Sequence, residues 1–311
     1  MSKYCLGIDV GGTSVKLGLF DTEGNVLDKW EIPTRKEEGG KHILPDVAAS
    51  VLDKIAEKKI DKAEIAGAGI GIPGPVDGNG VVKVCVNVGW ENVDARSDLS
   101  KLLGMPVKVG NDANVAALGE MWKGGGAGYN SIVMVTLGTG VGGGIIVDGK
   151  IVNGSTGAGG EIGHIHIQDG EEDTCGCGNR GCLEQYASAT GIVRLANRKL
   201  KASEKASVLR GGEVSAKTVF DAVKAGDELA VEVAEEFGNY LGRGLAAIAG
   251  VVNPEAFVIG GGVSKAGTVV LDYIKKYYIP YAFSGCREAK FTLATLGNDA
   301  GIYGSAKMIL E

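Results

Sequence analysis

Apolar and polar positions along this chain follow two periods in alternation. From Tyr4 to Ile32, short bursts of β-branched and large apolar residues are interrupted at Gly11-Gly12 and at Glu23-Gly24-Asn25, which predicts strand, glycine turn, strand, turn, strand. Residues 131 to 154, SIVMVTLGTGVGGGIIVDGKIVNG, repeat that arrangement: an apolar strand enters a Gly/Thr turn at 138 to 144, returns, and turns again at Asp148-Gly149-Lys150. A repeat of this kind predicts two related α/β domains facing one another.

Between the two copies, Ile43, Val47, Val51 and Ile55 recur every four residues as a helical stripe, and AEIAGAGIGIP has the pattern of a buried strand. Further on, Leu229, Val233, Phe237, Leu241 and Leu245 mark one face of a long helix that should stop before Asn253-Pro254. EAFVIGGGVSKAG then reads as strand, glycine turn and helix start, and a closing helix should be capped by Asn298 or Asp299. No Pro/Ser-rich linker is present, so the pattern alone places a domain boundary after residue 115, with an N-terminal unit of 1–115 and a second of 116–297.

The 311 residues, 44% hydrophobic, suffice for one large or two ordinary domains with a substantial core. A net charge of −6 with no Lys/Arg-rich run argues against nucleic acid or an anionic membrane surface as partner, so an anionic ligand would need local cradling. The first residues lack the long apolar segment and cleavage site of a leader, and no apolar run is long enough to span a membrane, so a cytoplasmic location is expected. Glycine, at 52 residues, is the compositional outlier; its short clusters suggest places where backbone approaches a ligand closely.

Three of those clusters suit phosphate. In DVGGTSVK, Asp9 at a strand end would hold magnesium, while the amides around Gly11, Gly12 and Thr13, followed by Lys16, could surround phosphate oxygens. An ordinary hairpin turn is the alternative. Gly138, Thr139 and Gly140 occupy the equivalent turn of the second copy, and Gly260, Gly261 and Gly262 lie between a strand and a helix as a nucleotide-binding turn should. Neither a dinucleotide fingerprint nor a P-loop is present.

Asn111 and Asp112 follow an apolar strand and precede an Ala-rich helix, where either could serve as an N-cap, or the carboxylate could accept a proton from a substrate hydroxyl. Glu161 and Glu184 flank a cysteine cluster and are candidates for hydrogen-bonding a polyol. Within that cluster Cys175, Cys177 and Cys182 form C-x-C-x4-C, with glycines at 176, 178 and 181. Three thiolates plus an imidazole, from His164 or His166, would make a tetrahedral structural zinc site; a redox cluster is the alternative. Cys5, Cys85 and Cys286 lie in mixed or apolar stretches and read as packing residues.

Taken in order, DVGGTSVK, GIGIPGPVD, VNVGW, NDANVAALGE, LGTGVGGG, GEIGH, CGCGNRGCLEQYAS and VIGGGV resemble the ROK family of sugar kinases and repressors, specifically its bacterial glucokinases, over nearly the whole chain. The resemblance implies an α/β, duplicated actin-like ATPase (ribonuclease H-like) fold, with sugar and ATP in the cleft between lobes and the helix of 298–311 returning to the N-terminal lobe. It implies Asp112 as catalytic base, Asn111, Glu161, His164 and Glu184 as sugar contacts, Gly74 as a backbone sugar contact and Asn87 as a further one. His164 would also be the zinc ligand beside Cys175, Cys177 and Cys182, one ring nitrogen on zinc and the other toward a sugar hydroxyl, leaving His166 a packing or surface role. The activity implied is transfer of the ATP γ-phosphoryl group to the glucose C6 hydroxyl. Kinases for mannose, fructose, N-acetylglucosamine or N-acetylmannosamine, a polyphosphate donor and a non-catalytic sugar sensor are the alternatives. Family repressors carry a DNA-binding segment ahead of this body, for which a first phosphate turn at residue 9 leaves no room. Family members commonly form dimers or tetramers, so a homo-oligomer is expected.

Overall fold

The computed structural model describes residues 2–311. As the first apolar bursts require, β1 (Tyr4–Val10), β2 (Ser14–Asp21) and β3 (Val26–Pro33) form an antiparallel meander. Strand β1 also pairs in parallel with β4 (Ile65–Ile72), which pairs in parallel with β7 (Val107–Asn111), giving the order β3-β2-β1-β4-β7. Strands β5 (Val81–Cys85) and β6 (Trp90–Asp94) form a separate hairpin. The second copy repeats the order: β8 (Ile132–Leu137), β9 (Val141–Val147), β10 (Lys150–Ile151), β11 (Ala256–Gly260) and β12 (Lys290–Leu293) run β10-β9-β8-β11-β12, with β8, β11 and β12 parallel. Equivalent strands therefore lead into the glycine turns after β1 and β8.

Two compact units result: Met1–Gly128 with Gly144–Gly160 and Leu296–Glu311, and Tyr129–Gly143 with Glu161–Thr295. In the first, after the short turn α1 (Glu37–Gly40), helix α2 (Ile43–Lys58) buries Ile43, Val47, Val51 and Ile55, the expected stripe. Helix α3 (Ala95–Leu103) is capped by the Asp94 carboxylate, which accepts the Ser97 N–H. In the second, α5 (Glu184–Ala187), α6 (Ala189–Ala202), α7 (Ala216–Lys224), α8 (Glu228–Val252) and α9 (Thr268–Tyr281) gather around the buried face of α8. Helix α8 ends at Asn253 in a left-handed conformation, φ 44°, just before the proline. Among the described residues, no helix is long and apolar enough to cross a membrane.

The break expected after residue 115 falls elsewhere. Helix α4 (Asp112–Lys123) belongs wholly to the first unit because it lies against α10 (Ala300–Leu310) at backbone distance: a Cβ on Gly304 would stand 1.7 Å from the Val115 oxygen, and one on Gly119 2.2 Å from the Ala300 oxygen. The other side of α10 rests on the sheet in the same way, with Cβ positions at Gly7 and Gly69 1.9 and 1.8 Å from the Ile302 and Ser305 oxygens. Ser305, fully buried, donates its hydroxyl to the Ile8 carbonyl at 2.7 Å. The expected cap does not form: Asp299 has helical backbone angles, makes no capping bond and pairs with Lys29 at 2.5 Å instead.

Overpacking this seat should be costly. Gly304→Ala and Gly69→Ala are each expected to destabilise by about 1–3 kcal/mol or more. Gly250→Ala, in the interior of α8 with open space at its Cβ, should be neutral or stabilising by up to about 1 kcal/mol. Melting temperatures of the three variants check this ordering; equal behaviour would show that α10 is not seated on backbone.

Candidate functional site

The first unit gathers two carboxylates. Asp9 stands near the end of β1, and the turn after it is closed by the Gly11 N–H donating to the Ser14 carbonyl at 3.0 Å. Thr34 braces that turn, its hydroxyl on the Gly11 carbonyl at 2.7 Å and its N–H on the Thr13 carbonyl at 2.9 Å. Gly12 and Thr13 thus sit in a tied hairpin with Thr13 exposed. Lys16 donates to the Asn298 carbonyl at 2.9 Å, so its ammonium braces the approach to α10. The Asp9 carboxyl lies against the first turn of that helix, where a Cβ on Gly301 would be 2.5 Å from its Cγ. Burial, reinforced by the Asp112 carboxylate and opposed by Lys16, pushes Asp9 up to about 6.

Asp112 is the first residue of α4, and the cap is its neighbour: the Asn111 side-chain oxygen accepts the N–H groups of Ala113 and Asn114 at 3.0 and 3.1 Å. Capping therefore occupies Asn111 and leaves Asp112 as an additional acid. The Asn111 amide nitrogen donates to the Gly74 carbonyl at 3.1 Å and to Asp112 Oδ1 at 3.0 Å, drawing three predicted residues together. Gly74 is obligatory there, at φ +94° with a virtual Cβ 2.4 Å from the Val84 oxygen. Burial raises the Asp112 pKa, opposed by the Ala113 N–H, its own N–H and the Asn111 amide. A carboxylate shielded from water in this way can accept a hydroxyl proton. Asn87 is exposed in the turn joining β5 to β6 and makes none of these contacts.

The second unit ties the Gly138–Gly140 turn, the phosphate candidate, to its sugar candidates. The Gly138 N–H donates to the Gly140 carbonyl at 3.0 Å, the Thr190 hydroxyl donates to the Thr139 carbonyl at 2.8 Å, and the Ala189 N–H donates to the Gly138 carbonyl at 2.8 Å. The turn is thereby docked on the start of α6. Glu184 Oε2 accepts the Val141 N–H at 2.9 Å, and a Cβ on Gly140 would stand 2.0 Å from that same oxygen. A side chain on Gly140 would have to displace that carboxylate, whereas Gly138 and Gly262 face open space. Gly261, at φ +81°, packs on the Leu137 backbone with a virtual Cβ 2.5 Å from its oxygen.

His164, Cys175, Cys177 and Cys182 bring one donor atom each within 4.8 Å of one another. Cys177 and Cys182 sulfurs are 3.6 Å apart and Cys175 Sγ is 3.7 Å from His164 Nδ1. Zn–S bonds of roughly 2.3 Å in a tetrahedron require edges of about 3.7 Å, so these four residues fit zinc and could hold it. The other ring nitrogen of His164 lies 3.9 Å from a Glu161 oxygen. The His166 side chain is not one of the four, although its backbone bridges to Cys182; it is exposed, with its nitrogens 2.9 Å from the Arg180 carbonyl oxygen and 2.9 Å from an Asp169 oxygen. Cys5, Cys85 and Cys286 are buried and free.

Gly301 is the residue that sequence reasoning missed. Its signal was the small-residue spacing of AGIYGSA, legible as a close helix contact but silent about Asp9 as the neighbour. Because the charge of Asp112 contributes to the raised Asp9 pKa, Asp112→Asn should lower it from about 6 toward the ordinary value of 3.8, short of reaching it since burial is the larger cause. Carboxyl-carbon NMR titration reads this directly, and an unmoved Asp9 would mean that the two acids do not sense one another.

The family model described as ROK family matches residues 5–311. A glucokinase of Halalkalibacterium halodurans is 42% identical, over 99% of this chain and 96% of its own length. The ROK hexokinase structure from Thermus thermophilus superposes with a TM-score of 0.80 at 32% identity, covering 97% of this chain and 96% of that one. That of a ROK family glucokinase from Streptomyces griseus, in complex with glucose and AMPPNP, does so with a TM-score of 0.72 at 35% identity, covering 98% of each chain. With duplicated sheets of one strand order and a match along almost every residue, this chain belongs to the ROK family.

Proposed function

We propose that this protein transfers the γ-phosphoryl group of ATP to the C6 hydroxyl of glucose, giving glucose 6-phosphate and ADP. The observation that carries the reading is the pair of carboxylates Asp9, near the end of β1, and Asp112, the residue after β7, with the Asp112 charge contributing to the raised Asp9 pKa. Likeness to proteins named glucokinase supports the choice of sugar. Asp112 takes the C6 hydroxyl proton as the oxygen bonds to the γ-phosphorus and the bond from that phosphorus to the ADP oxygen breaks. Asp9 is the residue that would hold the magnesium accompanying ATP. Backbone amides of the turns at Gly11–Thr13, Gly138–Gly140 and Gly261–Gly262 hold the phosphates, and most of the acceleration comes from positioning and charge stabilisation. Asn111, Glu161, His164 and Glu184 hydrogen-bond the sugar, with Gly74 and Asn87 alongside.

Zinc on His164, Cys175, Cys177 and Cys182 would supply structure, since four protein ligands leave no open position for a reacting water. Held by these residues, it would fasten the two chain segments that carry Glu161, His164 and Glu184, and fix the His164 ring toward the sugar. The reading includes a cytoplasmic enzyme acting as a homo-oligomer.

Asp112→Asn should lower turnover by about 10² or more with ATP affinity nearly unchanged. Coupled assays over a panel of hexoses and N-acetylhexosamines, with ATP and with polyphosphate, should give the highest kcat/KM for glucose with ATP; a higher value for any other pair would displace the proposed substrates. Chelation or Cys177→Ser should weaken glucose binding severely and nucleotide binding far less. Calorimetry on the metal-free protein checks this, and full glucose affinity without about one zinc per chain would break the link.

A further inference from the structure

The acidic stretch between the proposed zinc ligands, Gln168 to Asp173, contains one residue out of character with its neighbours. Glu171 has a side chain only 3% exposed, although glycine and acidic residues flank it. Its carboxylate accepts the Tyr186 hydroxyl and the Asp173 N–H, the latter at 3.0 Å. Two guanidinium groups of α6 face it, Arg194 at 2.5 Å and Arg198 at 3.3 Å. Burial alone would raise its pKa, but the Tyr186 and Asp173 hydrogen bonds and Arg194 outweigh it and hold the group near about 2. Arg194 also reaches Asp173 at 2.9 Å, and its guanidinium lies over the Tyr186 ring, 5.5 Å from the centroid. Tyr186 also stacks on Tyr240 with centroids 4.1 Å apart.

The position of this clamp along the chain gives it a use. Glu184 lies two residues after Cys182 and two before Tyr186. Cys182 holds one end of this short turn, and the buried Leu183 and Ala187 seat α5 on its neighbours. Gln185 spans the gap without closing it, its side chain donating to the Asp173 carbonyl at 2.9 Å and accepting the Cys182 N–H at 3.1 Å. Fixing Tyr186 as well adds a hold on the far side of Glu184, whose carboxylate also rests on the Val141 N–H at 2.9 Å.

We propose that Glu171 is a positioning residue for the sugar, acting through Tyr186 and Arg194 to aim Glu184. The inference rests on the reading of Glu184 as a sugar contact. The sugar loop then has two fasteners, a metal knot before Glu184 and a buried carboxylate clamp after it, and either one alone is insufficient. A misplacement of about an ångström at a binding carboxylate is enough to lose an order of magnitude or more.

The test uses zinc-loaded full-length protein and compares Glu171→Ala, Tyr186→Phe and Glu184→Gln, together with the Glu171→Ala/Glu184→Gln double variant. Glu171→Ala should weaken glucose binding by about tenfold and Tyr186→Phe by a lesser factor. Both should leave the KM for ATP within about a factor of two and the zinc content at about one per chain. In the Glu184→Gln background the glucose penalty of Glu171→Ala should vanish, the signature of action through Glu184 that general loosening would not give. A penalty of equal size in both backgrounds, or one shared equally by ATP, overturns the proposal. So does an unaltered glucose affinity in Tyr186→Phe, the variant that keeps the measurement possible should Glu171→Ala not fold. Unchanged glucose binding in Glu184→Gln alone would instead remove the sugar role of Glu184 itself.

Discussion

A helix backbone resting directly on strand and helix backbone is the constraint from which the first unit's chemistry follows. Side chains ordinarily hold a helix 8–10 Å from its neighbours. Along α10 they are dispensed with: Gly7 and Gly69 receive its carbonyls from the sheet side, and Gly304 and Gly119 close the contact with α4. This approach brings the end of β1 and the start of α4 to a common element, and with them Asp9 and Asp112. Their raised pKa values follow from that enclosure. Burial raises both, and for Asp9 the charge of Asp112 adds to it.

The second unit solves a related problem by other means. The Gly138–Gly140 turn and the segment after the cysteine cluster share one carboxylate, because Glu184 accepts the Val141 N–H and lies beside Gly140. The four metal-ligand candidates and the buried Glu171 stand on the same few elements, so a short stretch of chain with little secondary structure is held at many points. A loop of that kind has no core of its own and must be ordered by such ties.

Much of this was legible in the sequence. Spacing alone gave α2 and α8, because a stripe at every fourth residue admits no other buried arrangement, and the repeated strand-turn-strand bursts gave both sheets. C-x-C-x4-C pointed to a metal site, and the group of side chains that could hold one includes His164 and not His166, a choice the residues by themselves left open. Contacts between distant segments were beyond reach. Nothing local ties Gly301 to Asp9, or Glu171 to Tyr186 and Arg194, and the acidic run around Glu171 reads as solvated surface until the fold buries one member of it. The boundary after residue 115 failed for the same reason: α4 is assigned by its partner α10, which lies almost two hundred residues further along the chain.

The central claim is that the seating of α10 places Asp9 for the metal-nucleotide. Gly301→Ala tests it most directly, since the added methyl carbon would stand 2.5 Å from the Asp9 Cγ while the helix register around it is preserved. Affinity for the manganese–ATP complex, measured by paramagnetic titration alongside glucose affinity by calorimetry, should fall by about tenfold or more with glucose binding retained. Wild-type manganese–ATP affinity in a folded Gly301→Ala protein would contradict the account.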